Sequence, residues 1–222
     1  MTDDMKQEKT GHPRQLRLND PAPVFAARTT MGVKCLTDYR GKWLLLFSHP
    51  ADFTPVCTTE FMALEQAADK FRAMDCELLG LSADSIYSHL AWIQNVEDRF
   101  GVTISFPIIE DLSLTIAEAY GMIDETSVST ATIRSVFFID PEGIIRAQVH
   151  YPASVGRSVE ELLRVLSALQ ATEKGDLAAP EGWHAGDTLL KAPPTTIDEV
   201  RQSQAMPQEA RRDWYFVEAG RD

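Results

Sequence analysis

The sequence predicts an α/β fold: a central mixed sheet flanked by helices, followed by a C-terminal extension. Three observations lead there. Apolar runs of strand length recur as WLLLF over 43–47, ELLGLS over 77–82 and SVFFID over 135–140, the pattern of strands covered on both faces. Between them Phe61, Leu64, Ala68 and Phe71, and then Ile86, Leu90 and Ile93, fall at helical spacing, as helices covering a sheet require. Beyond Ala171 the composition turns to Pro, Gly and charge, with AAPEG over 178–182 and APP over 192–194 interrupting any long element.

Taken in order, residues 1–15 read as a polar, solvated tail, and regular structure is expected from 16 onward. Residues 16–171 form the expected α/β domain. Within it DPEG over 140–143 supplies turn residues between two apolar runs, so 134–140 and 144–150 are expected to pair as a hairpin. Val159, Leu162, Leu163, Leu166 and Leu169 mark a further helix. Residues 172–222 read as an extension or dimerisation arm, ending in the aromatic cluster Trp214, Tyr215 and Phe216, which a free tail has no reason to carry.

Composition narrows the function classes. At 222 residues, 44% hydrophobic and 24% charged, the chain can bury one sizeable core. With 21 Lys and Arg against 33 Asp and Glu its net charge is −12, which repels nucleic-acid phosphates and anionic lipid. Neither nucleic acid nor membrane is an expected partner. No apolar run approaches bilayer length, and residues 1–15 lack the apolar stretch of a secretory signal, so the cytosol is the expected location. Cys35, Cys57 and Cys76 are widely spaced, with no CxxC and no Cys/His metal pattern. Neither a disulfide scaffold nor a metal site is expected.

The chemistry is concentrated in FSHPADFTPVCTTE over 47–60, between a buried strand and an amphipathic helix. Thr54 suits an N-cap and Pro55 the first helical position. Cys57 then falls in the first turn, where unpaired N–H groups and the helix dipole favour a thiolate, the reactive form of sulfur. Without that position Cys57 would read as one more small buried residue.

Pro50, Thr54 and Cys57 spell P-x-x-x-T-x-x-C, which resembles the active-site motif of peroxiredoxins. The longer string is similar to their one-cysteine subfamily and to the related archaeal thioredoxin peroxidases. The resemblance extends from about Leu16 through the extension, where APPTTIDEV and DWYF look like the archaeal branch. It implies a thioredoxin-like fold and a thiol-dependent peroxidase reducing hydrogen peroxide and organic hydroperoxides through a sulfenic acid on Cys57. No cofactor is implied. By the same resemblance Pro50 shields the thiolate, Thr54 relays a hydrogen bond to the peroxide, Arg134 donates to sulfur and peroxide, and Glu60 orients that arginine. Read alone, Arg134 would be a solvated strand end. His49 matches the family's active-site histidine, although a His ending a buried strand is commonly structural. Arg157, in YPASVGR over 151–157, matches a second active-site arginine and could equally be a surface residue leading a helix.

One departure matters. The archaeal relatives carry cysteines flanking the aromatic cluster, where this chain has Arg211 and Val217. Regeneration is therefore expected from an external thiol such as thioredoxin or glutathione, with Cys35 and Cys76 as packing residues. The family forms homodimers, also assembled into rings. The rival readings are weaker. A thiol–disulfide oxidoreductase needs a second cysteine where Thr54 stands, phospholipase activity needs a serine absent from DYRGKW over 38–43, and a holdase assembly would act without peroxide.

Overall fold

Strand β3 (Trp43–Ser48) is buried along all six residues, which explains its unbroken apolar run: it has neighbours on both sides and cover on both faces. The computed structural model describes residues 15–123, 128–173, 175–207 and 211–219, so the expected polar tail lies outside the described residues except for Gln15. The chain divides into two compact units, Met1–Arg157 and Ser158–Asp222.

The first unit runs β1 (Ala26–Thr29), β2 (Gly32–Cys35), a 3₁₀ turn (Leu36–Tyr39), β3, α1 (Pro55–Gln66), α2 (Ala68–Ala73), β4 (Cys76–Ser82), α3 (Ile86–Phe100), β5 (Ile108–Glu110), α4 (Thr115–Ala119), β6 (Arg134–Ile139) and β7 (Ile145–Tyr151). Its seven strands are ordered β2-β1-β5-β4-β3-β6-β7. The β3–β4 and β4–β5 pairs are parallel, and β3–β6, β6–β7, β1–β5 and β1–β2 are antiparallel. This is the central mixed sheet flanked by helices that the sequence predicted. The β6–β7 hairpin forms as expected, and its turn is closed by Gly143 at φ 76°, where a side chain would be strained.

Two helical expectations need correction. The apolar spacing from Phe61 to Phe71 suggests one continuous helix, but α1 and α2 are separate and meet at Ala67, which caps both. No Gly or Pro marks the break, so spacing alone could not show it. In α3 the buried stripe is Ile86, His89, Trp92 and Val96, while Leu90 faces outward at 44% exposure. A polar ring at 89 takes a place that apolar spacing assigned to a leucine.

The second unit contains α5 (Val159–Ala171), β8 (Leu177–Ala178), β9 (Leu190–Lys191), α6 (Ile197–Gln204), β10 (Arg211–Asp213) and β11 (Phe216–Val217). Ser158 caps α5 by accepting from the Glu161 N–H, and Leu162 and Leu166 are its buried residues. A capping box of Thr196 and Glu199 starts α6. Strands β10 and β11 pair antiparallel, with Arg211 opposite Val217. The aromatic cluster sits at this hairpin: Trp214 and Tyr215 contact edge to face and stay exposed, and the Arg212 guanidinium lies over the Phe216 ring. Among the described residues no helix is long and apolar enough to cross a membrane.

Candidate active site

The turn after β3 delivers Cys57 to the first turn of α1. Thr54 is the N-cap residue by its extended backbone (φ −107°, ψ 144°), and Pro55 occupies the first helical position. The Thr54 hydroxyl does not cap the helix; it donates to the Ala51 carbonyl at 2.9 Å. Its lone pairs are left to accept a proton donor from outside. Phe53, one residue earlier, has φ 55°, a left-handed conformation costing a non-glycine residue about 1–2 kcal/mol. The bend that presents Thr54 and Cys57 is thus held against local strain. Pro50 is half-buried in the same turn.

Cys57 is fully buried. Arg134, the first residue of β6, donates from Nη1 to the Cys57 Sγ at 3.3 Å and to Glu60 Oε2 at 2.6 Å. Its Nε and Nη2 both donate to the Ala153 carbonyl, at 3.0 and 2.8 Å, which fixes the plane of the guanidinium. Arg157 grips the same carboxylate as a fork, Nε to Oε1 and Nη2 to Oε2 at 2.8 Å each, and its backbone N–H donates to Oε1. Its Nη1 donates to the carbonyls of Ser48 and Ser135, tying the site to the ends of β3 and β6. Burial works to raise the Glu60 carboxyl pKa, but hydrogen bonds and charge from Arg157, with Arg134, carry it below the usual range.

These side chains are nearly inaccessible, so their charge balance is consequential. Two guanidiniums oppose one carboxylate, an excess of one positive charge beside the sulfur. A thiolate at Cys57 would bring the cluster to neutrality, and four of the five Arg134 N–H groups are already engaged, which leaves one on Nη2.

His49 lies outside this network. Its ring is fully buried, pairs through Nε2 with Asp52 Oδ1 at 2.9 Å, stacks on Trp92 and meets Phe61 edge-on. The other Asp52 oxygen pairs with His89 Nδ1 at 2.8 Å, and His89 Nε2 faces the Ile109 carbonyl at 3.1 Å. Ligand-type atoms of His49, Asp52 and His89 lie within 4.8 Å of one another. Asp52 bridges the two rings, one carboxylate oxygen to each. Sequence reasoning missed Asp52 and His89; the available signal was a histidine on the apolar stripe of α3.

The other thiols are remote. Cys76 is paired with Trp43 at the far end of β3, which places it about 17 Å along the strand from the site. Burial pushes its thiol up to about 12. Cys35 is on the outermost strand β2, separated from β3 by β1, β5 and β4, a lateral distance of about 19 Å.

The AhpC/TSA family model matches residues 18–148. The chain is 42% identical over 208 residues to a peroxiredoxin of Methanosarcina mazei, covering 90% of this chain and 95% of the relative. It is 46% identical over 199 residues to peroxiredoxin 2 of Thermoplasma acidophilum, covering 90% and 98%. Among solved structures it is similar to a yeast mitochondrial 1-Cys peroxiredoxin described as resolved via glutathione/thioredoxin systems, with 38% identity, a TM-score of 0.79, and 92% and 100% coverage. It is also similar to a cysteine-to-serine mutant of peroxiredoxin 6 of Arenicola marina, with 31% identity, a TM-score of 0.79, and 93% and 100% coverage.

Proposed function

Since this chain belongs to the AhpC/TSA family of peroxiredoxins and is a thiol-dependent peroxidase, we propose that Cys57 is its reacting sulfur. Pro50, Thr54 and Arg134 complete the catalytic set, and His49, Glu60 and Arg157 support it. The observation that carries this reading is the Arg134 Nη1 donation to Sγ within a buried cluster that a thiolate brings to neutrality. In the reaction the sulfur attacks one peroxide oxygen, an S–O bond forms as O–O breaks, and the departing oxygen leaves with a proton as water or alcohol. The Thr54 oxygen accepts from the incoming hydroperoxide, and the guanidinium steadies the charge that accumulates on the leaving oxygen.

The sulfenic acid is returned to thiol by an external reductant, thioredoxin, glutathione or a similar thiol. Supporting a one-cysteine cycle are the positions of Cys76, about 17 Å back along β3, and of Cys35, about 19 Å across the sheet from it, where a disulfide tolerates a Cα separation of about 7 Å. The reducing conditions this cycle needs suit the cytosol. Strand β7 is the last strand of the sheet; Asn19 and Asp20 engage its edge at Ile145, and the remainder suits pairing with a second copy in a homodimer, itself able to build rings. Residues 16–171 would then be the peroxidase domain and 172–222 the dimerisation arm.

Mass spectrometry after one equivalent of peroxide should find sulfenic acid on Cys57 and no disulfide. Cys57→Ser should abolish turnover, while Cys35→Ser and Cys76→Ser keep most of it. Turnover retained in the Cys57 variant would overturn the assignment.

A further inference from the structure

We propose that His89 is a positioning residue for peroxide reduction: a buried imidazolium that holds Asp52 as an anion and so locks the turn carrying Thr54 and Cys57. This rests on the reading of Cys57 as the reacting sulfur.

The charge state follows from donor accounting. His89 Nδ1 faces a carboxylate oxygen and its Nε2 faces the Ile109 carbonyl. Both are acceptors, so both ring nitrogens must carry hydrogen, and a ring with two N–H groups is cationic. His49 differs. Its Nε2 faces Asp52, but its Nδ1 is buried without a hydrogen-bond partner, as suits a neutral ring with its single proton on Nε2. Asp52 and His89 thereby form a buried pair of net charge zero, which is how an interior tolerates ions. The other charged groups facing the pair are acidic: the Asp84 carboxylate accepts the Asp52 N–H, and Glu110, paired with Arg28, follows Ile109 on β5. They favour the cation.

The consequence for the site is mechanical. Asp52 is anchored by its carboxylate to His49, just after β3, and to His89 on α3, and by its N–H to Asp84, immediately before the strained Phe53. Thr54 and the start of α1 follow. His49 also packs on Phe61, which shares a face of α1 with Cys57 four residues earlier. Discharging His89 would leave Asp52 underbalanced, and the bend that Asp52 restrains would relax toward an unstrained backbone.

Nitrogen-resolved NMR of the reduced parent provides a test independent of any variant. At neutral pH the His89 ring should carry two N–H groups and the His49 ring hydrogen on Nε2 alone. A neutral His89 ring there overturns the proposal. In His89→Gln a donor toward Asp52 remains but the charge is gone, and stopped-flow oxidation of Cys57 by hydrogen peroxide should slow about tenfold at neutral pH. The rate should also gain a new acid limb as the uncompensated Asp52–His49 pair takes up a proton. That limb should vanish in Asp52→Asn/His89→Gln. Slowing that is uniform with pH, or no slowing, would mean that His89 only fills space. A parent that forms no Cys57 sulfenic acid would instead fail the peroxidase assignment and leave the NMR result intact.

Discussion

Arg134 makes four donations with one planar group: to Sγ, to Glu60, and twice to the Ala153 carbonyl. An ammonium cannot reproduce that fork, so Arg134→Lys should keep the charge and still slow Cys57 oxidation at least about tenfold, or 1.4 kcal/mol. Parent-like stopped-flow rates would remove Arg134 from the reaction. Glu60 carries the opposite risk. Glu60→Gln leaves two buried guanidiniums facing each other with no carboxylate between them, and denaturant titration should show a loss of about 3–5 kcal/mol. The motif over 47–60 singled out Cys57, Thr54, Pro50 and Glu60 and the string YPASVGR added Arg157, each within a short continuous pattern, whereas Arg134 came only from the wider resemblance because read alone it is a strand end. His89 was not legible as a site residue. Its partners, Asp52 and the Ile109 carbonyl, come from a turn and a strand that no local spacing connects to α3.

At the scale of elements, the strands were the most readable parts. A six-residue run buried on both faces has one reading, and β3, β4 and β6 lie where apolar runs put them. Helix boundaries depended on less visible causes. The α1–α2 break at Ala67 has no breaker residue, and the buried stripe of α3 includes a histidine in place of Leu90. Turn chemistry was legible in DPEG, and it supplies a test. Gly143 closes the β6–β7 turn at φ 76°, and a Cβ there would also meet the Arg40 guanidinium at 2.7 Å. Arg40 is flexible and can move aside; the backbone cannot. Gly143→Ala should therefore cost about 1–2 kcal/mol, read as a lowered melting midpoint with peroxidase activity retained below it.

For the whole molecule, three buried groups couple folding to pH in the same direction. Burial holds His49 below its ordinary value despite the Asp52 hydrogen bond. Asp52 and Glu60 lie below the usual carboxylate range because their hydrogen bonds and charged partners outweigh burial. In each case the unfolded chain binds the proton at a higher pH than the folded one. The stability these groups contribute is complete above their unfolded values and is lost as pH falls, beginning near pH 6.5 for His49 and below about pH 4.3 for the carboxylates. Below about pH 4.3, where the two carboxylates dominate, melting midpoints should fall as pH falls; a midpoint that rises there would contradict the charge assignments of Asp52 and Glu60.

The separation of Cys57 from Cys35 and Cys76 has a further consequence, for timing. On the proposed one-cysteine cycle the Cys57 sulfenic acid has to wait, and two visitors compete for it: a reducing thiol that restores it and a second peroxide that carries it to sulfinic acid. The share of molecules lost per turnover should rise with peroxide and fall in proportion to added reductant. An internal sulfur would make that share indifferent to the reductant. Plotted against the ratio of the two concentrations, inactivation data taken at many peroxide levels should collapse onto one curve, making the enzyme a fuse whose rating is set by the thiol supply around it.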